Sequence, residues 1–384
     1  MKIKKKYVLI LFLIFLVIIL SYKFYFAPIF SYEYRDIERL KSLPYLSWTE
    51  EEINENNSGV TKYIPEKSFP GYNLYLDEVD KAYLIDMHGK IVHTWNFPIK
   101  GQWEYGVILE DGSLVALLVG EGIAKFDWDS NLLWFNNITA HHDIEVLEDG
   151  SYLVPFNYYK KYKKYNVLFD SIMHISSKGE NISEVWSTYK NLNKINKFHN
   201  PSPLESDLGP PDSSVLYEYY HLNTIRILPD TLLGKIFKPL QKGNLLVCLR
   251  NENLILILDK DTKEIVWYWG PDNLDHPHYP TMLKNGNILI FDNGRFRNYS
   301  RVIQVDPTTK EIVWEYKTDP LKDFYSELRG SSQPLPNNNI LITESEKGHV
   351  FEITKEGEIV WEFWNPEIKN SSRKRIYRMI RYPE

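Results

Sequence analysis

The sequence predicts an all-β protein, a six-bladed β-propeller preceded by a single N-terminal transmembrane anchor. A short phrase closing on tryptophan is written six times between Trp95 and Trp361. The segments between the copies carry strand and turn signals without helical periodicity, and an apolar run follows a cluster of lysines at the N-terminus.

Taken in order, MKIKKK (residues 1–6) reads as a basic cytoplasmic tip. Residues 7–26 form an apolar run interrupted only by Lys23, long enough to span a bilayer with that lysine reaching the far interface. The leading lysines keep the N-terminus cytoplasmic and put the rest of the chain on the extracytoplasmic side. Small residues at cleavage spacing are poor, since Ser21 and Ala27 stand isolated among aromatics, which favours an uncleaved anchor. Residues 27–68 are polar and mixed, with Glu50, Glu51, Glu52 and Glu55 close together, and read as a stalk.

Residues 69–368 hold the repeats: IDMHGKIVHTW to Trp95, FDWDSNLLW to Trp134, SSKGENISEVW to Trp186, DKDTKEIVW to Trp267, DPTTKEIVW to Trp314 and TKEGEIVW to Trp361. A polar turn followed by alternating apolar residues is a hairpin entering a strand, and the closing indole suits packing between neighbouring sheets. Recurrence at roughly 40 to 50 residues indicates four-stranded blades arranged radially. The longer gap between Trp186 and Trp267 holds extra loop, so the count is six. Residues 369–384, with Arg373, Lys374, Arg375, Arg378 and Arg381, read as a basic segment lying over the propeller, with Ile376, Tyr377, Met379 and Tyr382 packed.

The formal charge of −6 leaves no basic footprint for nucleic acid. The single cysteine, Cys248, excludes an intrachain disulfide, and its setting in NLLVCLR suits a small buried apolar residue. A homodimer is left open among the partners.

A second set of phrases opens the blades: YGVILEDGS, HHDIEVLEDGS, HLNTIRILPD, HYPTMLKNGN and SSQPLPNNN. The first strand of a propeller blade lines the central channel, so residues at equivalent places converge on one axis. Three of the phrases begin with histidine: His141 and His142, His221, and His278 with His276 close by. No carboxylate is placed to complete a metal site, so no metal and no other cofactor is expected. Arg250, at the end of the strand after His221, adds a cation, and a buried arginine among imidazoles makes a pocket for an oxyanion. Past the Asp292-Asn293-Gly294 turn, Arg297 is taken to line the substrate cleft. The final blade opens on Gly330, Ser331 and Ser332, with no charged residue at its entrance.

With LIDMHGKIVHTW, HHDIEVLEDGSYLV, HLNTIRIL, HYPTMLKNGNILIFDNG, SSQPLPNNNILITES and GEIVWEFWNP in this order, residues 70–384 resemble the arylsulfotransferase family. The resemblance implies a six-bladed propeller that moves a sulfuryl group from an aryl sulfate to a phenol through a histidine nucleophile, without a nucleotide sulfate donor. Carried over residue by residue, the nucleophile matches His278. The H-x-N-x-I phrase matches His221, Asn223 and Ile225, with Asn223 placed at the substrate, and the following arginine matches Arg250. The remaining histidine is His141 or His142. An insertion, TLLGKIFKPLQKG, lengthens the hairpin between His221 and Arg250. The contrasting expectation is a non-catalytic, membrane-tethered propeller that binds a ligand or protein partner at the channel rim.

Overall fold

The computed structural model describes residues 57–99, 101–162, 165–198 and 216–384. The anchor expected over residues 7–26, the basic tip and most of the stalk lie outside the described residues. Among the described residues no helix is long and apolar enough to cross a membrane.

Six antiparallel sheets form the six blades. From the axis outward, blade I pairs Ile380–Tyr382, Tyr72–Leu76, Lys81–Ile85 and Ile91–Asn96, and blade II pairs Trp103–Ile108, Leu114–Leu118, Gly122–Phe126 and Leu132–Asn136. Blade III pairs Glu145–Val146, Tyr152–Tyr162, Tyr165–Ile175 and Asn181–Ser187, with Leu216–Glu218 added parallel to Tyr165–Ile175. Blade IV pairs Leu222–Ile227, Leu245–Leu249, Leu254–Leu258 and Ile265–Trp269, and blade V pairs Pro277–Met282, Ile288–Asp292, Arg301–Asp306 and Glu311–Tyr316. Blade VI pairs Ser331–Pro334, Ile340–Glu344, His349–Ile353 and Ile359–Trp364, and takes Gly59–Tyr63 as a fifth, outermost strand.

The sequence separates core from surface by position in the blade. The second and third strands of blade IV, LLVCL and LILIL, are buried at every residue, because each blade is covered on both faces by its neighbours. Outer strands alternate instead, as Ile265–Trp269 does. Six apolar clusters result, five seated between two adjacent blades and the one between blades II and III also taking in Tyr279 of blade V and Ile380 of blade I. Cys248 lies in one of them, its thiol directed at the Pro277 carbonyl 3.3 Å away.

The repeated tryptophans stitch this ring together. Trp95 donates its indole N–H to Asp127 O (3.1 Å), Trp134 to Ser177 O (3.1 Å), Trp267 to Pro307 O (2.8 Å) and Trp314 to Lys355 O (3.0 Å). Each acceptor lies in the outer hairpin turn of the next blade. Trp361 donates to Met87 O (2.8 Å), which carries the same link from blade VI back to blade I. The buried indole nitrogen of Trp186 has no such partner among the described residues. The polar residues that begin the phrases form the turns: Asp86 Oδ1 accepts from the backbone N–H groups of His88 and Lys90, and Asp306 Oδ1 from that of Thr308.

Both ends of the expected propeller move. Residues 380–382, assigned by the sequence to a basic overlay, are the innermost strand of blade I, and Gly59–Tyr63, assigned to the stalk, belongs to blade VI. The basic side chains are buried within the ring closure rather than spread over it. Arg381 Nε bonds Asn73 Oδ1 in blade I (2.8 Å), and its Nη1 pairs with the Glu352 carboxylate in blade VI. Ile376, Tyr377 and Met379 are buried, as expected.

Candidate active site

Every inner strand starts at the same end of the ring, so the histidines ahead of them gather at one channel mouth. Pairing of Leu222 with Leu249 and of Pro277 with Asp292 makes His276 the register equivalent of His221 and places His278 two residues deeper. His142, His221 and His276 share a left-handed backbone, with φ of 62°, 53° and 57°. That conformation is uncommon outside glycine and turns each chain sharply as it enters the inner strand.

The rings converge. His142 lies 4.5 Å from His221 and 5.0 Å from His141, centroid to centroid. Arg250 completes the group, because burial and then the Arg250 charge drive the pKa values of both His221 and His278 well below the ordinary imidazole value. His142 is held well below it too, by burial first, then His141 and Arg250. The site therefore presents neutral imidazoles beside a guanidinium. Arg250 Nε donates to Asn251 (3.1 Å), and its terminal N–H groups have no hydrogen-bond partner among the described residues.

His141 and His142, left open by the sequence, divide. His141 faces Asp170, 3.4 Å away, while His142 meets His221 and brings its Nδ1 to 2.9 Å from the Tyr377 hydroxyl. Glu218 stands 2.7 Å from His221 Nδ1, at ion-pair distance but without hydrogen-bond alignment.

His278 is the most constrained of the group. Asn293 donates both protons of its amide, to Ser326 O (2.7 Å) and Arg329 O (2.8 Å), so its oxygen must face His278 Nδ1, 2.7 Å away. The His276 carbonyl, a second acceptor, lies 3.2 Å from the same nitrogen. Two acceptors require an Nδ1–H tautomer, which leaves the Nε2 lone pair free. Asn293 directly follows the second strand of blade V, as Arg250 follows that of blade IV.

The two residues expected at the substrate are used differently. Asn223 is fully buried and spends its Nδ2 on Pro277 O (2.9 Å), bracing the strand that carries His278. Arg297 is not brought into the cluster. It closes its own turn, with Nη1 2.9 Å from Asp292 Oδ2, Nη2 donating to Asp292 O (2.7 Å) and Nε donating to Tyr299 O (3.1 Å).

Sequence reasoning passed over Glu104 and Arg329, and read Asn293 only as part of a turn and Tyr377 only as a packed ring. The last blade is not without charge at its entrance: Arg329, one residue before Gly330, is buried with its Nη2 3.6 Å from Glu104 Oε1 and its Nη1 without a hydrogen-bond partner among the described residues. Glu104 Oε2 stands 3.6 Å from His142 Nδ1, and burial pushes this carboxyl up against the lowering pull of Arg329. Deeper in the channel, Asp143 accepts from Arg226 (2.5 Å) and Arg378 (2.8 Å), and the Arg378 guanidinium lies 4.3 Å from both the Tyr105 and Tyr279 rings, forming a floor. Among the described residues no group of His, Cys, Asp and Glu is arranged to hold a metal ion.

A family model described as arylsulfotransferase (ASST) matches residues 106–366. The chain belongs to the arylsulfotransferase family. The match to this arylsulfotransferase model begins within the inner strand of blade II and ends just past the outer strand of blade VI, so it covers the three histidine-bearing entrances. No curated protein matches the chain. A protein of unknown function from Bacteroides caccae is similar in structure, with a TM-score of 0.54 and 15% identity over 82% of this chain and 100% of that one. A streptogramin B lyase aligns with a TM-score of 0.48 and 13% identity over 87% of this chain and 97% of the lyase. Virginiamycin B lyase from Staphylococcus aureus gives 0.41 and 14% over 73% and 84%. At such identities the likeness to the first is one of fold alone.

Proposed function

We propose that this arylsulfotransferase moves a sulfuryl group from an aryl sulfate to a phenol through a sulfo-histidine on His278. The observation that carries the reading is the fixed tautomer of His278: Nδ1–H is held by Asn293, Nε2 is unprotonated, and the ring shares the mouth with Arg250.

In the first half-reaction the Nε2 lone pair attacks sulfur. The N–S bond forms as the S–O(aryl) bond breaks, its electron pair leaving on the aryl oxide. The His278 ring, still protonated at Nδ1, becomes cationic, and Asn293 Oδ1 stabilises that charge. Arg250 and His221 donate to the peripheral sulfuryl oxygens, where negative charge collects in a loose transition state. The departing phenolate takes a proton from solvent at the channel mouth, with His142 placed to pass it on. In the second half-reaction a phenol returns that proton along the same route and attacks sulfur, breaking the N–S bond and restoring neutral His278.

Intact-protein mass spectrometry after incubation with an aryl sulfate and no acceptor tests this. The expected result is a gain of one sulfuryl group with release of one phenol, absent in His278→Ala. A protein that gains no mass and releases no phenol would leave a propeller that binds its ligand at the channel rim without chemistry.

The apolar run at residues 7–26, behind its lysines, supports placing the propeller on the extracytoplasmic side of a membrane. Protease accessibility of the propeller in intact cells, against spheroplasts opened by detergent, reads that placement.

A further inference from the structure

The insertion in blade IV sits at the end of the ring away from the histidines. His221 precedes the inner strand Leu222–Ile227 and the next strand begins at Leu245, so residues 228–244 form the hairpin tip on the opposite face. Within it, Leu232–Ile236 makes one helical turn capped by Thr231, whose Oγ1 accepts from the Gly234 N–H (3.0 Å). Leu233 and Phe237 turn inward onto the cluster between blades IV and V, and Leu240 is fully buried.

Leu232 and Ile236 turn outward. They are 82% and 84% exposed, above every other large apolar residue described, the next being Tyr159 at 69%. Four residues apart on a helical turn, they share one face. Ile236 also lines a concavity of about 460 Å³, together with Asp230, Lys235, Lys238, Gln241 and Lys242. Lys235 lies 3.6 Å from Asp230 and Lys242 2.8 Å from Glu148, so the tip keeps a net positive charge with three lysines against two carboxylates.

We propose that this hairpin tip docks on an anionic bilayer surface, Leu232 and Ile236 entering the headgroup–acyl boundary while the lysine-lined concavity takes lipid phosphate. Two aliphatic side chains held outward by a tightly packed turn have no folding role, and their neighbours are the cations that an anionic leaflet attracts. Charge complementarity selects the bilayer over a second copy of this chain, whose formal charge is −6 but whose matching tip is itself cationic. The histidine-lined mouth then faces away from the membrane, open to soluble aromatic molecules. This inference stands apart from the chemistry proposed for His278.

The test uses the full chain in vesicles. Cys248 is the single cysteine and is buried, so an environment-sensitive fluorophore on Leu232→Cys reports the tip alone. In phosphatidylcholine vesicles containing phosphatidylglycerol the emission is expected to shift to the blue and to be quenched by headgroup-proximal nitroxide lipid. Both signals should be lost in a Lys235→Glu, Lys238→Glu, Lys242→Glu background of unchanged thermal stability. The same fluorophore on Ile182→Cys, on the outer strand of blade III, should give neither. Emission that stays unshifted and open to iodide in these vesicles overturns the proposal. So does a blue shift that appears without lipid and rises with protein concentration, because a second copy then covers the patch.

Discussion

At the scale of single residues, the site rests on one amide. Asn293 has both donors committed to backbone carbonyls, so its oxygen cannot rotate away from His278 without leaving a buried donor unmade. Asn293→Ala strips two buried carbonyls of their donors and should cost about 1–3 kcal/mol of stability, and it should lower kcat by about a hundredfold, the cost of a misaimed nucleophile. A sulfo-histidine formed at the wild-type rate in that variant would contradict the assignment. Arg250→Lys keeps the charge but loses the planar fork of donors and should retain little activity.

The pH dependence follows from the same burial. His142, His221 and His278 all have native pKa values well below 6.5. Transfer should persist as pH falls through 6.5, where an ordinary imidazole would protonate and cease to attack. Stability should behave otherwise. Below the unfolded value of 6.5 the unfolded chain takes up protons that the native histidines refuse, so this contribution is whole above 6.5 and declines as the pH falls further. A denaturation series across that range, repeated with His278→Gln, separates the two effects.

At the scale of the element, the tryptophan phrase has two jobs, and the six copies do not perform them equally. The indole of Trp361 is fully buried and bonds the next blade, whereas that of Trp186 packs without a partner for its nitrogen among the described residues. Trp361→Phe should therefore destabilise the protein by about 1 kcal/mol more than Trp186→Phe, the net worth of one hydrogen bond. Equal losses in urea unfolding would show that packing alone matters. The phrase was legible because a turn residue, alternating strand and closing aromatic repeat locally. The direction of each indole was not, since its acceptor belongs to a different blade 32 to 43 residues later, or 274 residues earlier for Trp361.

Blade VI adds a charged counterpart. His349 is buried between Glu344 (2.8 Å) and Glu362 (3.0 Å), and Thr61 of the N-terminal strand bonds the same Glu362 (2.6 Å). These carboxylates outweigh burial and raise the His349 pKa above 6.5. The stability this brings is present below 6.5 and is lost as the pH rises through the elevated native value, opposite in sign to the channel histidines. In His349→Gln the alkaline part of the stability profile should flatten.

At the scale of the whole molecule, closure depends on both ends of the described chain. Ile380–Tyr382 supplies the inner strand of the first blade, and Arg381 holds blades I and VI through Asn73 and Glu352. Arg381→Ala leaves the Glu352 carboxylate buried without its cation and should cost about 3–5 kcal/mol. Deleting residues 380–384 should abolish a single cooperative transition, because blade I then exposes an unpaired inner edge. An unchanged calorimetric transition would overturn that view of the ring.

Repeats, turns and strand periodicity are properties of neighbouring residues, and from them the sequence alone determined the blade count and which histidines stand at the entrances. The family phrases likewise marked His278, His221 and Arg250. Only the tertiary structure decided that His142 rather than His141 meets His221, that Asn293 sets the His278 tautomer, that Glu104 and Arg329 join the mouth, and that Arg297 stays in its own turn. It also decided that a basic tail is a buried strand. Those outcomes depend on which residues far apart in the chain meet across the ring, and on whether a charge finds a partner once buried. Closure of a propeller makes such meetings, and no local pattern records them.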